Sequence, residues 1–231
     1  MKHEAVYVSI DECGAVEGTA VVIDVLRAYT TAAWAFHLGV ECIVLSNDLE
    51  EALRIKASIP ESLALKDAEP AAGFELSNSP VRLQREGDLR GRTIVQKTTA
   101  GTVGAVAAKA AEELYCASFV NAAATAAALR EAGATKVFYV VTGSGGTAEE
   151  DRACAEYIAA LVEDPPAEAG PYLQRAADSD AAKTIARRVE ARMPGIDGRD
   201  VETCLVADQF DFVMKAAEED GLLTLRAYNQ A

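Results

Sequence analysis

The feature that most constrains this chain is a plan used several times over: an apolar run short enough for a strand, one or two polar residues, then an Ala-rich run long enough for a helix. Residues 20–25 read as a strand and 28–38 as a helix, and "VECIVL" at 40–45 reads as the next strand. Leu49 to Ser58 then reads as a helix, with Asp48 placed to cap it and Pro60 to stop it. A strand to about Gln96 precedes the helix in "TTAGTVGAVAAKAAEEL". "LYCASFVNAAATAAALREAGATKVFYVV" gives a strand to Asn121, a helix closed by Gly133 and a strand to Thr142. This alternation of periods predicts an α/β fold: a layered structure with a mostly parallel sheet flanked by helices. It is built as one domain over residues 1–231, with room for two intimate lobes.

The stretch from 66 to 91 has two prolines, three glycines and no sustained period, so it reads as a long loop of the functional kind. A helix from about Ala148 to Glu163 is stopped by Pro165 and Pro166. Two further helical pieces fall in 170–192, with Gly195 as a stop, and the chain finishes in a short helix and one or two strands.

Of 231 residues half are hydrophobic, enough for a sizeable core. Lys and Arg total 22 against 36 Asp and Glu, a formal charge of -14, which argues against nucleic-acid and anionic-membrane partners. An anionic ligand must then be held by a local cationic patch or by a metal. The N-terminal "MKHEAVYVSIDECG" has acids where a signal peptide needs its apolar region, so a cytoplasmic protein is expected. Cys13, Cys42, Cys116, Cys154 and Cys204 are scattered and form no CxxC pair, which suits reduced core residues.

Ligands of open α/β sheets bind beyond the carboxyl ends of strands. There the sequence puts Asp24 and Arg27, then Lys97, Thr98 and Thr99, then Asn121, then Thr142, Gly143 and Ser144. Hydroxyls, amides and a guanidinium suit phosphate or sulfonate, and carboxylates suit magnesium. Each also has a plainer reading. Asp24 suits a helix cap, Arg27 an exposed first turn, and Glu149, Glu150 and Asp151 the positive end of a helix dipole. Because three other strand ends bring polar groups to the same edge, Asp24 and Arg27 are read as facing a ligand.

Common phosphate-handling signatures are absent. There is no GxxxxGK[ST], and "GSGG" lacks GxGxxG spacing. Leu26 stands where a DxD nucleophile needs its second acid, and neither Cys116 nor Cys154 has an arginine six positions on. His3 and His37 do not fall at strand ends, which argues against a phosphohistidine.

In this order, "VIDVLRAYTT", "GFELSNSP", "KTTAGT", "SFVNAAA" and "EEDRACAE" resemble the 2-phosphosulfolactate phosphatase family over roughly residues 18 to 215. That resemblance implies an α/β magnesium-dependent phosphatase of coenzyme M biosynthesis, hydrolysing the phosphate ester of a small anionic hydroxy acid. By resemblance Asp24 holds magnesium or orients the attacking water, and Arg27 clamps an anionic group. Thr98, Thr99, Gly101 and Thr102 would cradle phosphate with Lys97, Asn121 and Gly143 nearby. Asn78 and Ser79 would close the site, and Glu150 and Asp151 would supply further acid.

The chain departs from the family pattern at several points. The family's acid falls near Leu65 and its arginine near Lys66; its Asp and second Gly are Glu75 and Ser77 here. Its Asn is Ala100, and the Gly after Cys-Ala is Glu156. Asp67 or Glu69 is placed to compensate for Leu65. Two expectations follow: a working phosphatase for a small phosphorylated anion, or a family member that binds such a molecule without hydrolysing it. The Ala-rich helix faces also leave room for a homo-oligomer.

Overall fold

In a computed structural model, which describes residues 3–229, most of the alternating runs become the elements their periods suggest. Glu4–Ser9 forms β1, Thr19–Ile23 β2 and Ala28–His37 α1. Cys42–Ser46 (β3) leads to Leu49–Ser58 (α2), followed by Leu63–Lys66 (β4), Leu76–Ser77 (β5) and the single turn Pro80–Leu83 (α3). Next come Thr93–Lys97 (β6), Gly101–Ala107 (α4), Glu113–Ala117 (β7), Ala122–Glu131 (α5) and Lys136–Val141 (β8). Four helices follow, Glu149–Glu163 (α6), Gly170–Ala177 (α7), Asp180–Glu190 (α8) and Asp200–Cys204 (α9), before the hairpin Phe212–Glu219 (β9) and Leu222–Asn229 (β10).

Local chemistry accounts for many boundaries. Asp48 accepts the Glu51 amide at 2.8 Å and so caps α2, whose first turn holds Glu50 and Glu51 and whose last holds Lys56. Gly133 ends α5 at φ +65°, where a side chain would be strained. The strand read to Asn121 stops instead at Ala117. Asn121 Oδ1 accepts the Ser118 amide at 3.1 Å, and this local bond closes a tight turn over Phe119–Asn121 in place of further ladder pairing. The long loop read over 66–91 contains β5 and α3; Ser79 caps α3 by accepting the Arg82 amide at 3.2 Å. β1 lies outside the repeated plan and pairs at the sheet edge with β8.

The ten strands form one sheet in the order β1-β8-β2-β7-β9-β10-β3-β6-β4-β5. Strands β1, β8, β2 and β7 run parallel, as do β3, β6, β4 and β5. The β9–β10 hairpin sits between these halves, antiparallel to β7 and to β3. The two parallel halves therefore run in opposite senses along the ladder. A twist of roughly 20–25° per strand, accumulated over the five steps from β2 to β6, turns the carboxyl ends of those strands back toward each other.

Helix α1 is the wedge between the halves. Its Tyr29 hydroxyl donates to Gly101 O at 2.7 Å, and Gln96 Nε2 of β6 donates to Ala28 O at 3.1 Å. Val22, Cys116 and Val140 from one half and Ile43, Leu65 and Ile94 from the other share one apolar core with Tyr29, Ala32 and Ala33. Alternate residues face outward. Val21, Ile23 and Tyr139 pack under α5 and α6, while Val44, Ala64 and Val95 pack against Ala52 of α2. All five cysteines are free and buried. Among the described residues no helix is long and apolar enough to cross a membrane.

Candidate active site

Asp24 follows β2, and its reading as a cap holds. Its Oδ1 accepts the Ala28 amide at 3.0 Å, capping the turn into α1. Its Oδ2 lies against the start of α4, where a Cβ on Gly101 would stand 2.7 Å away. Glycine at 101 is thus what lets the β2–α1 and β6–α4 junctions meet. Asp24 is 7% exposed. Burial pushes its carboxyl up to about 7, a rise to which the Asp67 and Glu150 charges add and which the Ala28 and Gly101 amides oppose.

Asp151, in the first turn of α6, binds the ends of β2 and β8 together. Oδ1 accepts the Val25 amide at 2.8 Å, while Oδ2 accepts the Gly143 amide at 3.0 Å and the Thr142 hydroxyl at 3.3 Å. Burial, and then the Asp24 and Glu150 charges, hold its carboxyl well above the usual carboxylate range. Glu150 is also buried, and burial raises its carboxyl too.

Asp67 gathers two more loops. Its Oδ1 accepts Asn78 Nδ2 at 2.8 Å, and its Oδ2 accepts the Thr99 amide at 2.7 Å and hydroxyl at 2.6 Å. The Asn78 Oδ1, buried, has no hydrogen-bond partner among the described residues. Arg27, 7% exposed, donates through Nη1 to Asp200 and to Gly195 O. Asp200, wholly buried, also accepts the Ser79 hydroxyl at 2.6 Å and the Asp197 amide at 3.0 Å. These bonds fasten α9 and the turn before it over the strand ends.

The result is a cavity of about 420 Å³. Arg27, Asp67, Thr99, Gly143 and Glu150 line one side; Ile185 and Arg188 of α8 and Met193, Pro194 and Ile196 of the following turn line the other. A larger depression of about 970 Å³ lies at the amino ends of β2, β7 and β8, by Thr19, Glu113 and Lys136. Volume favours that one, but strand-end amides, helix starts and the acidic cluster all gather at the smaller cavity, which is therefore the candidate site.

The structure brings most of the sequence-picked residues to this place and leaves others out. Arg27, Thr99, Gly143 and Glu150 line the cavity; Asp24, Asp151, Asn78, Ser79 and Gly101 support that wall through the contacts above. Thr98 and Thr102 spend their hydroxyls on each other's amides, at 3.1 and 2.9 Å, and close the turn into α4. Lys97 alternates with Gln96, so it takes the side of Val95 and α2. Asn121 caps its own turn and does not line the cavity. Of the departures from the family pattern, Leu65 is in the apolar core, whereas Asp67, two residues on, stands at the cavity. Glu75 accepts the Ala64 amide at 2.9 Å and pairs with Lys56, and Glu156 pairs with Arg152 and Arg175, so both brace the scaffold.

Known proteins are similar to this chain in sequence. The profile of the family described as 2-phosphosulpholactate phosphatase matches residues 7–219. The chain belongs to the 2-phosphosulfolactate phosphatase family. A protein of Bacillus subtilis named "Probable 2-phosphosulfolactate phosphatase" is 30% identical over 208 residues, covering 89% of this chain and 90% of that protein. Proteins of the same name from Deinococcus radiodurans and Caldicellulosiruptor saccharolyticus are each 35% identical over 150 residues, covering 62% of this chain and 62% and 61% of theirs.

Sequence reasoning missed Asp200 and the α8 side of the cavity. Asp200 sits in a short polar turn, "GIDGRD", with no strand before it, so no strand-end rule reaches it. Arg188 lies on a helix that reads as a solvated amphipathic surface.

Proposed function

We propose that this chain is a magnesium-dependent phosphatase acting on the phosphate ester of a small anionic hydroxy acid, of the kind named for its relatives. The observation that carries the reading is that Asp67 and Glu150 line the cavity together with Arg27, while Asp24 and Asp151 stand buried behind that wall. So many carboxylates repel a phosphorylated anion unless a cation balances them. The donors suit magnesium: hard carboxylate oxygens of Asp24 and Asp67, with the unpartnered Asn78 Oδ1 beside Asp67. Among the described residues no group of three or more His, Cys, Asp or Glu is arranged to hold a metal. Magnesium is commonly held by one or two carboxylates, with water and phosphate oxygens completing its shell, and so fits a sparse set of this kind.

When bound, the cation supplies Lewis-acid polarisation of the phosphoryl oxygens. The protein's own residues do the rest in this reading. Arg27 donates N–H groups to an anionic oxygen, with Asp200 fixing its plane. Asp24 and Asp67, as holders of the cation, would orient a water for attack on the phosphoryl group. Ile185 and Ile196 add apolar wall beside these charged groups.

Phosphate release from a panel of phosphorylated hydroxy acids, including 2-phosphosulfolactate, tests the reading. It is run with magnesium, with chelator and beside Asp24→Asn. Magnesium-dependent release that collapses in the variant is expected. Binding without release from any substrate overturns it in favour of the non-hydrolytic binder. The position of Asp67 favours catalysis, because it brings a carboxylate to the cavity where Leu65 does not.

A further inference from the structure

Residues 195–200 form a strap beside the cavity that carries both acceptors of Arg27. Arg27 Nη1 donates to Gly195 O at 3.3 Å and to the Asp200 carboxylate, and the Asp197 amide donates to that same carboxylate at 3.0 Å. The two ends of the strap are seated in different ways. At the Asp200 end the Ser79 hydroxyl donates to Oδ1 at 2.6 Å. At the Gly195 end the strap lies backbone on backbone against Ala68 and Glu69, just after Asp67. A Cβ at position 195 would overlap the Ala68 carbonyl group and stand 2.6 Å from Glu69 N.

A glycine that only reverses the chain needs its left-handed conformation and no close neighbour. Gly133 and Gly221 are of that kind, with positive φ and nothing within 4 Å of a Cβ. Gly195 has φ +78° and the backbone contact as well, so both its conformation and its place demand glycine. Gly198, in the same strap, is different again: a Cβ there meets Val189 Cγ1 at 3.5 Å, an ordinary contact. Pro194, Ile196 and Ala68 all line the cavity. The strap therefore holds Arg27 through Gly195 O while resting on the loop that carries Asp67.

We propose that Gly195 is a positioning residue: its bare Cα seats the strap on Ala68, and the seated strap fixes the Arg27 guanidinium where an oxyanion meets it. The inference rests on the phosphatase reading in taking Arg27 as an oxyanion ligand, and it names the residue that aims that ligand. A guanidinium held at two acceptors on one strap is ordered before the anion arrives, so little freedom is lost on binding. A strap lifted off Ala68 carries Gly195 O away from Arg27 and pulls on Asp200 with it.

The test is a double-variant cycle on wild type, Gly195→Ala, Arg27→Lys and the two combined, with Gly198→Ala as a control in the same strap. Lysine keeps a charge for the anion but lacks the fork that the strap aims. The Kd for inorganic phosphate is measured by calorimetry with magnesium present, beside kcat and KM for phosphate release from 2-phosphosulfolactate. In Gly195→Ala, Kd should rise roughly 10- to 100-fold, the scale of a binding group misplaced by about 1 Å. Gly198→Ala should match wild type. In the Arg27→Lys background, Gly195→Ala should add less than about twofold, because the two positions act as one unit. A loss as large in that background as in wild type marks a merely structural glycine and overturns the proposal. So does a Gly195→Ala protein that binds phosphate as wild type does, or a wild type that binds none. Hydrogen exchange of wild type covers a Gly195→Ala chain that does not fold: saturating phosphate should slow amide exchange over 195–200, since coupling between strap and anion is reciprocal, and unchanged exchange overturns the proposal. A wild type that gives the expected phosphate-binding cycle yet releases phosphate from no ester sinks the phosphatase reading and leaves the role of Gly195 standing.

Discussion

Replacing Asp24 with asparagine should make the protein more stable at alkaline pH while abolishing turnover. The carboxyl moves from its ordinary 3.8 to about 7 in the folded chain, chiefly by burial. A raised carboxyl means that the native state binds more protons than the unfolded state between those values. Stability from this group is therefore greatest at low pH and falls as pH rises through that window. At about 1.4 kcal/mol per tenfold change in acidity, ionised Asp24 burdens the native state by roughly 4 kcal/mol above pH 7. Asparagine keeps an oxygen for the Ala28 amide and removes the burden. Its stability advantage over wild type should grow by roughly 2–3 kcal/mol from pH 5 to pH 8, or about 5–10 °C in Tm for a chain of this size. Urea unfolding of both proteins at the two pH values, in chelator, measures this. Asp151 titrates against Asp24, so only the difference between the proteins isolates position 24. An advantage that is the same at pH 5 and pH 8 refutes the reasoning. Magnesium should then stabilise wild type at pH 8 and not the variant.

Two further perturbations probe the scaffold. Asp200→Ala leaves the buried Arg27 charge unpaired and should cost about 3–5 kcal/mol in urea unfolding, whereas the double variant with Arg27→Met should recover much of it; strictly additive losses would show that the two side chains are not coupled. Gly101→Ala places a methyl 2.7 Å from Asp24 Oδ2 and 2.8 Å from Ala28 Cβ, so it should lower stability by about 1–3 kcal/mol and phosphate release with it. Wild-type stability and turnover in that variant would mean that the two junctions are not in contact.

Much of the fold is legible because its causes are local. Alternation of apolar residues makes Thr19–Ile23 a strand, Asp48 caps α2 through its own chain neighbour, and Pro165 and Pro166 follow the last turn of α6. Where a local rule competed with another, the reading slipped. The Ser118–Asn121 bond ended β7 four residues early, and the capped turn at Ser79 put α3 inside a stretch without a period.

Sequence alone determined the α/β alternation and the family, because strand and helix periods and ordered short motifs are written in neighbouring residues. It also placed Asp24, Arg27 and Thr99, because strand-end chemistry depends on where a strand stops, and it named Glu150 and Asp151 through the family resemblance. Only the tertiary structure decided that the β9–β10 hairpin enters the middle of the sheet and reverses one parallel half against the other. Only it chose Asp67 over Leu65, sent Lys97 to the α2 side, and brought Asp200 and Arg188 from the last third of the chain to the cavity. Those outcomes depend on strand register, sheet twist and the burial of Arg27 beside Asp200. Such long-range energies join residues more than 170 positions apart, as in the Arg27–Asp200 pair, and leave no period in the sequence.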